Sequence, residues 1–242
     1  MKFLIPSLGR ADSIGRSIDF LGKENTLVYV NESEGDEYAK FISKKNIRPM
    51  VDVKGIAHVR KLMYDDNVKE DYVCQIDDDF SGLIYRHDGK SKFETISDPD
   101  HIRAVIANSY QVAVDIGTPL FSFDGTENPT LYSVMTITKF FGALPSFTGI
   151  IPKLMGSINY DTRFTVRENQ DLAFQCKYYR RYIFFDYRYS VRFHSPYFQK
   201  GGGSTNRNTK IMNECGELLF KKYGKACVKR AGKVPYTIHF PF

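Results

Sequence analysis

Residues 72–80 read YVCQIDDDF, an uncharged run, Tyr72–Ile76, that delivers three aspartates, Asp77, Asp78 and Asp79, to its carboxyl end. The run has the length and β-branched, aromatic content of a strand covered on both faces. Three adjacent carboxylates beside a buried strand are costly unless something compensates them. Side chains alternate along an extended backbone, so Asp77 and Asp79 are expected on one side and Asp78 on the other. Open α/β sheets bind ligands outside the carboxyl ends of parallel strands. Paired hard oxygens there suit Mg²⁺ or Mn²⁺ carrying a diphosphate. The plainer reading, a solvated acidic turn or a set of helix caps, fits the same residues.

Working back from this strand, helix-like and strand-like segments alternate. A helix at Gly55–Asp65 carries Ile56, Val59, Leu62 and Met63 on one face, and Ile47–Val53 reads as a strand. Ser33–Lys45 reads as a helix with Tyr38, Phe41 and Ile42 at helical spacing, Thr26–Val30 as a strand, and a helix capped by Ser13 runs to Leu21. Lys2–Ile5 is the first strand. Forward of the aspartates the pattern predicts a hairpin strand at Ile84–Arg86, a helix at Pro99–Ile116, and strands at Leu120–Phe123 and Ser133–Lys139. Beyond these come a helix at Arg167–Arg180, strands at Tyr182–Phe185 and Tyr189–Phe193, and a helix at Arg207–Tyr223. Residues 142–156, GALPSFTGIIPKLMG, mix turn formers with apolar residues and fit no one element. Such alternation predicts one α/β domain with a mixed, mostly parallel sheet and helices on both faces.

At 242 residues with 42% hydrophobic content, the chain is long enough to fold without a disulfide or metal staple. Lysine and arginine outnumber aspartate and glutamate 34 to 28, a net charge of +6 that leans toward polyanionic partners. The four cysteines show no CxxC spacing, as expected of free thiols in a reducing compartment. The opening apolar run stops at Pro6, and no run reaches the roughly 18 residues a membrane span requires. These features predict a cytoplasmic protein with no membrane contact. Oligomeric state leaves no mark in the sequence.

A parallel sheet brings the ends of several strands to one pocket. Ser7, Gly9 and Arg10 follow the first strand, where a polar loop receives a nucleotide; Asn31 and Glu32 follow the second, within reach of a base or ribose; Arg60 lies early in the helix that feeds the acidic strand. Each arginine is equally a surface residue by default.

The series IPSLGR (5–10), VYVNE (28–32), GIAHVRKLM (55–63) and YVCQIDDDF resembles the nucleotide-sugar half of GT-A fold glycosyltransferases. The resemblance implies that Asp77 and Asp79 hold Mn²⁺ or Mg²⁺ on the diphosphate of a nucleotide sugar, a UDP-sugar foremost, with Asp78 and Arg60 beside the nucleotide. TRFTVRENQDLAFQCKYY (162–179) is similar to the family's acidic helix start. There one carboxylate takes the acceptor's proton in inverting members, which implies Asp171 as base with Glu168 second. Glu168 and Asp171 also share a helix face near the amino end, where ordinary first-turn acids sit. His194, closing YSVRFH (189–194), stands where the family completes its metal shell. Lys200, Gly201, Gly202 and Gly203 follow: triple glycine can wrap an anion or act as a flexible connection, and the family has a closing loop there. By this resemblance residues 1–80 form the nucleotide-sugar half, 81–204 the acceptor and metal-completing half, and 205–242 a C-terminal helix and basic tail.

For the acceptor, the small basic chain is similar to phage-encoded, TET-associated DNA glycosyltransferases, which implies a hexosyl or pentosyl transfer to hydroxymethylpyrimidine in double-stranded DNA, in the host cytoplasm. Bottom-up support comes from KYYRRYIFFDYRYSVRFH (177–194) and KKYGKACVKRAGK (221–233). These offer Lys177, Arg180, Arg181, Arg188, Arg192, Lys221, Lys222, Lys225, Lys229, Arg230 and Lys233 to phosphates, and aromatics to a displaced base. A strand core with solvated basic edges accounts for the same pattern. A saccharide or protein acceptor, or a nucleotidyltransferase, remains as an alternative; the second usually has a glycine-rich loop after its first strand, where this chain has only Gly9.

Overall fold

The computed structural model of the chain describes residues 1–53, 55–86, 94–125, 138–140, 144–193, 209–224, 227–229 and 236–238. The candidates His194, Lys200, Gly201, Gly202 and Gly203, with the basic residues Lys225, Arg230 and Lys233, lie outside the described residues.

Four parallel strands, β1 (Lys2–Pro6), β2 (Thr26–Asn31), β3 (Ile47–Met50) and β4 (Val73–Ile76), lie side by side in the order β3-β2-β1-β4. β1 and β4 are the inner pair and are apolar on both faces: Phe3 and Ile5 enter one core, Leu4 the other. α1 (Ile14–Leu21) covers the Phe3 side because Ile14, Ile18 and Leu21 fall on one stripe. α2 (Gly35–Tyr38) is a single turn. α3 (Ile56–Asp65) covers the Leu4 side through Met63 and Tyr64, and starts after Gly55, whose φ of 91° suits glycine. α4 (Pro99–Asp115) returns to the α1 side, with Pro99 in its first turn and the Asp98 side chain accepting from the His101 amide at 2.8 Å.

The sheet continues through β5 (Phe80–Tyr85), β6 (Glu94–Ile96), β7 (Leu120–Asp124), β8 (Thr138–Lys139), β9 (Phe147–Ile150) and β10 (Phe184–Phe193), in the order β3-β2-β1-β4-β9-β7-β10-β5-β6, with β8 beside β10. Here antiparallel pairing takes over, β7 with β10 excepted. Only Asp77–Asp79 separate β4 from β5 in sequence, yet three strands stand between them in the sheet. In a flat sheet β4 and β5 would be about 19 Å apart, whereas the chain from Ile76 to Phe80 reaches about 14 Å at most. The sheet therefore curls. β10 supplies a bend, its register shifting between Asp186 and Ser190 so that Phe184–Asp186 follow β7 and Tyr189–Phe193 follow β5. The acidic turn is the bridge across this curl.

α5 (Pro152–Met155) follows β9, and α6 (Glu168–Arg180) packs Leu172, Ala173 and Cys176 on the α3 side of the sheet. α7 (Thr209–Tyr223) adds a third small core, where Cys215 and Leu219 meet Ala57, Phe164 and Val166. β11 (Cys227–Lys229) and β12 (Tyr236–Ile238) form a separate antiparallel pair. Gly149 of β9 stands opposite Phe121 of β7, and a Cβ there would land inside the Phe121 ring. Among the described residues no helix is long and apolar enough to cross a membrane.

Helices on both faces of one mixed sheet are as expected, but several elements differ. The helix expected over Ser33–Lys45 shrinks to a 3₁₀ turn at Glu32–Glu34 and α2. Phe41 stays 51% exposed and Tyr38 turns toward the β1 loop, so no apolar stripe forms to extend it. The third strand stops at Met50, and the hairpin strand begins at Phe80, earlier than expected. The two strands expected at Tyr182–Phe185 and Tyr189–Phe193 are one bent strand, β10. Segment 142–156 contributes β9 and α5.

Candidate active site

The three aspartates leave β4 as a tight turn, the Phe80 amide donating to the Asp77 carbonyl at 3.3 Å, so strand alternation does not govern them. They divide all the same. Asp78 is 7% exposed and faces the β1 loop: Ser7 Oγ donates to its Oδ2 at 2.7 Å and Arg10 Nη1 meets its Oδ1 at 2.5 Å. Ser17 of α1 donates to the Asp78 carbonyl at 2.8 Å. Tyr38 completes the brace. Its hydroxyl accepts from the Arg10 amide at 3.2 Å and lies 2.7 Å from Ser7 Oγ, so with the Ser7 proton on Asp78 the Tyr38 proton goes to Ser7. Burial holds the Asp78 carboxyl above its usual range, against the pull of Ser7 and Arg10.

Asp77 looks the other way. Arg60, 4% exposed, donates from Nη2 to Asp77 Oδ1 at 2.7 Å, and its Nε lies 3.1 Å from Glu168 Oε1 at the start of α6. One buried guanidinium thus joins the acidic turn to the acidic helix. The Arg60 carbonyl accepts from Gln75 at 2.9 Å, and Gln75 accepts from Tyr160 at 2.7 Å. Burial opposes the charge on Arg60, but Asp77, Glu168 and Tyr160 outweigh it and raise the guanidinium above its ordinary pKa. Asp79 is pushed up to about 6, by burial first and then by Asp77 and Asp78. Carboxylate oxygens such as those of Asp77 and Asp79 are the donor type that Mg²⁺ or Mn²⁺ takes, but Asp77 is already paired with Arg60. Among the described residues no group of three or more His, Cys, Asp or Glu is arranged to hold a metal ion.

Gly9, at φ 64°, turns the β1 loop so that its amide donates to Glu34 Oε1 at 3.0 Å. Glu34 Oε2 is shut from water with no hydrogen-bond partner among the described residues, and burial raises the carboxyl's pKa. Asn31 is half-buried; Glu32 is exposed and lines a cavity of about 270 Å³ with Gly35, Lys44 and Pro49 that no residue of the acidic turn borders. A larger cavity, about 310 Å³ between Tyr85, Glu94, Asp98, His101 and Tyr189, is likewise bordered by none of Asp77, Asp78 and Asp79.

Asp171 lies one turn beyond Glu168 in α6 and is 1% exposed. Its Oδ1 takes Tyr223 Oη at 2.6 Å and Lys222 Nζ at 2.7 Å, and its Oδ2 takes Gln175 Nε2 at 2.7 Å. Ser7, Arg10, Asp77, Asp78, Arg60 and Glu168 are therefore joined in one network through the acidic turn, whereas the bonds of Asp171 run to α7 and Gln175. The residues that sequence reading passed over are Ser17, Glu34, Tyr38, Gln75 and Tyr160. Only Gln75, a polar residue inside an apolar strand, carried a visible signal.

No family model matches the chain, and no curated protein matches it. Among solved structures, S. aureus TarS superposes with a TM-score of 0.48 and 11% identity, over 91% of this chain and 40% of that one. The chain thus spans about two fifths of the length of TarS. At that level the likeness leaves the chemistry to the residues themselves.

Proposed function

We propose that the chain is a glycosyltransferase that moves a sugar from a nucleoside diphosphate to a hydroxyl. The observation that carries this reading is the buried Arg60, which joins Asp77 of the turn to Glu168 of α6 and so sets a diphosphate-side carboxylate and a second carboxylate around one cation. The loop of Ser7, Gly9 and Arg10 flanks the nucleotide, and the unpartnered oxygen of Glu34 receives a donor N–H or O–H of its base or ribose. Asp77 and Asp79 would hold Mn²⁺ or Mg²⁺, with His194 as a further ligand, and the bound ion supplies positive charge opposite the departing diphosphate.

Both Glu168 and Asp171 are buried and paired; Glu168 is our choice of base because its partner Arg60 also holds Asp77 of the acidic turn, whereas the partners of Asp171, Gln175, Lys222 and Tyr223, lie away from that turn. Glu168 takes the proton of the acceptor hydroxyl as that oxygen bonds to the anomeric carbon. The bond from this carbon to the diphosphate oxygen breaks, and the electron pair leaves with the diphosphate. Inversion of configuration requires that Glu168 stand on the face of the sugar opposite the leaving diphosphate.

For the acceptor we propose a hydroxymethylated pyrimidine in DNA, supported by a smaller surface than the sequence offered. Lys177 is buried, Arg188 is bound to Asp186, Arg192 to Thr95, and Lys222 to Asp161 and Asp171. Facing out are Arg192 and the corner of Tyr178, Tyr179, Arg180 and Arg181, with Lys221 on α7; the two tyrosines are 72% and 55% exposed, and Arg180 also donates to the Leu154 carbonyl at 2.6 Å. The test is mass spectrometry of hydroxymethylated DNA, unmodified DNA and oligosaccharides, each incubated with the protein and a panel of nucleotide sugars. A sugar-sized mass gain on hydroxymethylated DNA with release of nucleoside diphosphate is expected. Gain on the oligosaccharide alone removes the DNA acceptor and keeps the reaction. Pyrophosphate release from a nucleoside triphosphate, with no transfer from any sugar donor, replaces the reaction by nucleotidyl transfer.

A further inference from the structure

We propose that α7 is a clamp that fixes the catalytic carboxylate, and that Asp171 is its anchor, a positioning residue acting on Glu168; this rests on the reading of Glu168 as base. Three donors from two helices converge on one buried carboxylate. Gln175 is of α6, and it is itself fixed by the Asn159 backbone, accepting from the amide at 3.1 Å and donating to the carbonyl at 2.7 Å. Lys222 and Tyr223 are of α7, some fifty residues along the chain. Lys222 also holds Asp161 at 3.0 Å, and Asp161 in turn takes Arg163 through both its oxygens at 2.9 and 2.6 Å. The Tyr223 ring lies flat on Phe174 of α6, centroids 4.4 Å apart and planes 16° from parallel.

Earlier turns of the same face of α7 reach the second half of the charge network. Cys215 and Leu219 pack with Phe164, Val166 and Ala57, and Ala57 lies one turn before Arg60 in α3. Between the two contacts runs Thr165, whose carbonyl accepts from the Ile56 amide at 3.4 Å, then Arg167 in the left-handed conformation at φ 68°, then Glu168. α7 therefore backs both elements that present the Arg60–Glu168 pair. A buried ion pair adds little net stability but fixes register, because a misplaced helix leaves charges unpaired. Asp171 spaced three residues from Glu168 transmits that register along one helix face.

The experiment compares wild type with Lys222→Met, Lys222→Arg, Tyr223→Phe and Asp171→Asn. It reads steady-state transfer against donor concentration, together with hydrogen exchange at the amides of 168–172. A carboxylate displaced by a fraction of an ångström slows chemistry without touching donor contacts, so Lys222→Met should lower kcat roughly 10- to 100-fold with donor KM within about twofold. Exchange at 168–172 should rise while β1 and β4 stay protected, and Lys222→Arg should restore most of both. Tyr223→Phe keeps the ring on Phe174 and gives a milder version of the same pattern in a chain that still folds. Normal kcat in Lys222→Met despite faster exchange overturns the proposal, since α7 is then only packing. A dead Asp171→Asn beside normal Lys222→Met and Tyr223→Phe overturns it differently, by making Asp171 the base. Wild type inert toward every donor sinks the reaction reading alone; the clamp still stands or falls on whether Lys222→Met changes exchange at 168–172.

Discussion

The turn after β4 and the first turn of α6 both hold several carboxylates, and in each one acid is spent on bracing while a neighbour meets Arg60. At the β4 turn Asp78 is the brace, through Ser7 and Arg10, and Asp77 meets Arg60. At the helix Asp171 is the brace, through Gln175, Lys222 and Tyr223, and Glu168 meets Arg60. The difference lies in where the bracing partners come from. Those of Asp78 stand on the loop of the neighbouring parallel strand, while those of Asp171 include the far end of α7. On the proposed reading, the donors aimed at each acid, rather than its place in a motif, separate the brace from the acid left for chemistry.

The comparison breaks first at the acids proposed to hold a metal. Asp79→Asn should cost several kcal/mol of transition-state stabilisation, and chelation should abolish transfer, with Mn²⁺ or Mg²⁺ restoring it. Full turnover in EDTA, measured as nucleoside diphosphate release, removes the turn from the chemistry. Next is Glu168→Gln, expected to slow transfer by roughly 10²–10⁴ with donor affinity within about twofold. A near-normal rate erases the contrast drawn between Glu168 and Asp171.

The braces should register in stability instead. Asp78→Ala takes the carboxylate from the buried Arg10 guanidinium and should lower unfolding free energy in urea by about 3 kcal/mol. A loss under about 0.5 kcal/mol, the size of a surface change, would mean that Asp78 braces nothing. The smallest effect probes the joint between the two regions. Gly55→Ala puts a side chain at φ 91°, with its Cβ 3.1 Å from the Thr165 Cα. It should cost about 1–3 kcal/mol in the same titration, and an unchanged midpoint would show that this joint is free to move.

The parallel half was legible because its signals are local. β1, β2 and β4 are short apolar runs buried where such runs should be, and α1 and α3 carry their stripes in consecutive turns. That Asp78 faces away from Asp77 was also foreseen, though for a reason that does not operate: partners rather than strand alternation separate the two. Past Phe80 the reading weakened because long-range partners decide. β10 looked like two strands since Asp186, with no exposure at all, interrupts the apolar run; Arg188, its side chain 40% exposed, pairs with it where the strand bends. That Asp171 is held by Lys222 and Tyr223 could not be read from the sequence, because nothing near it in the chain announces partners some fifty residues on. Glu34 and Tyr38 were hidden inside a segment that reads as a longer helix than the single turn it forms.

Gly149 carries a consequence for variation among related chains. Its missing side chain is the space that the Phe121 ring occupies on the next strand. Any descendant that acquires even a methyl group at 149 must shrink or lose the ring at 121, so the two positions are expected to change together or not at all. Tolerance at one is set by the other: a chain with leucine or smaller at 121 opens 149 to alanine, and the aromatic closes it again. When diverged sequences are collected, an aromatic at 121 facing a bulky residue at 149 is the pairing that should be missing.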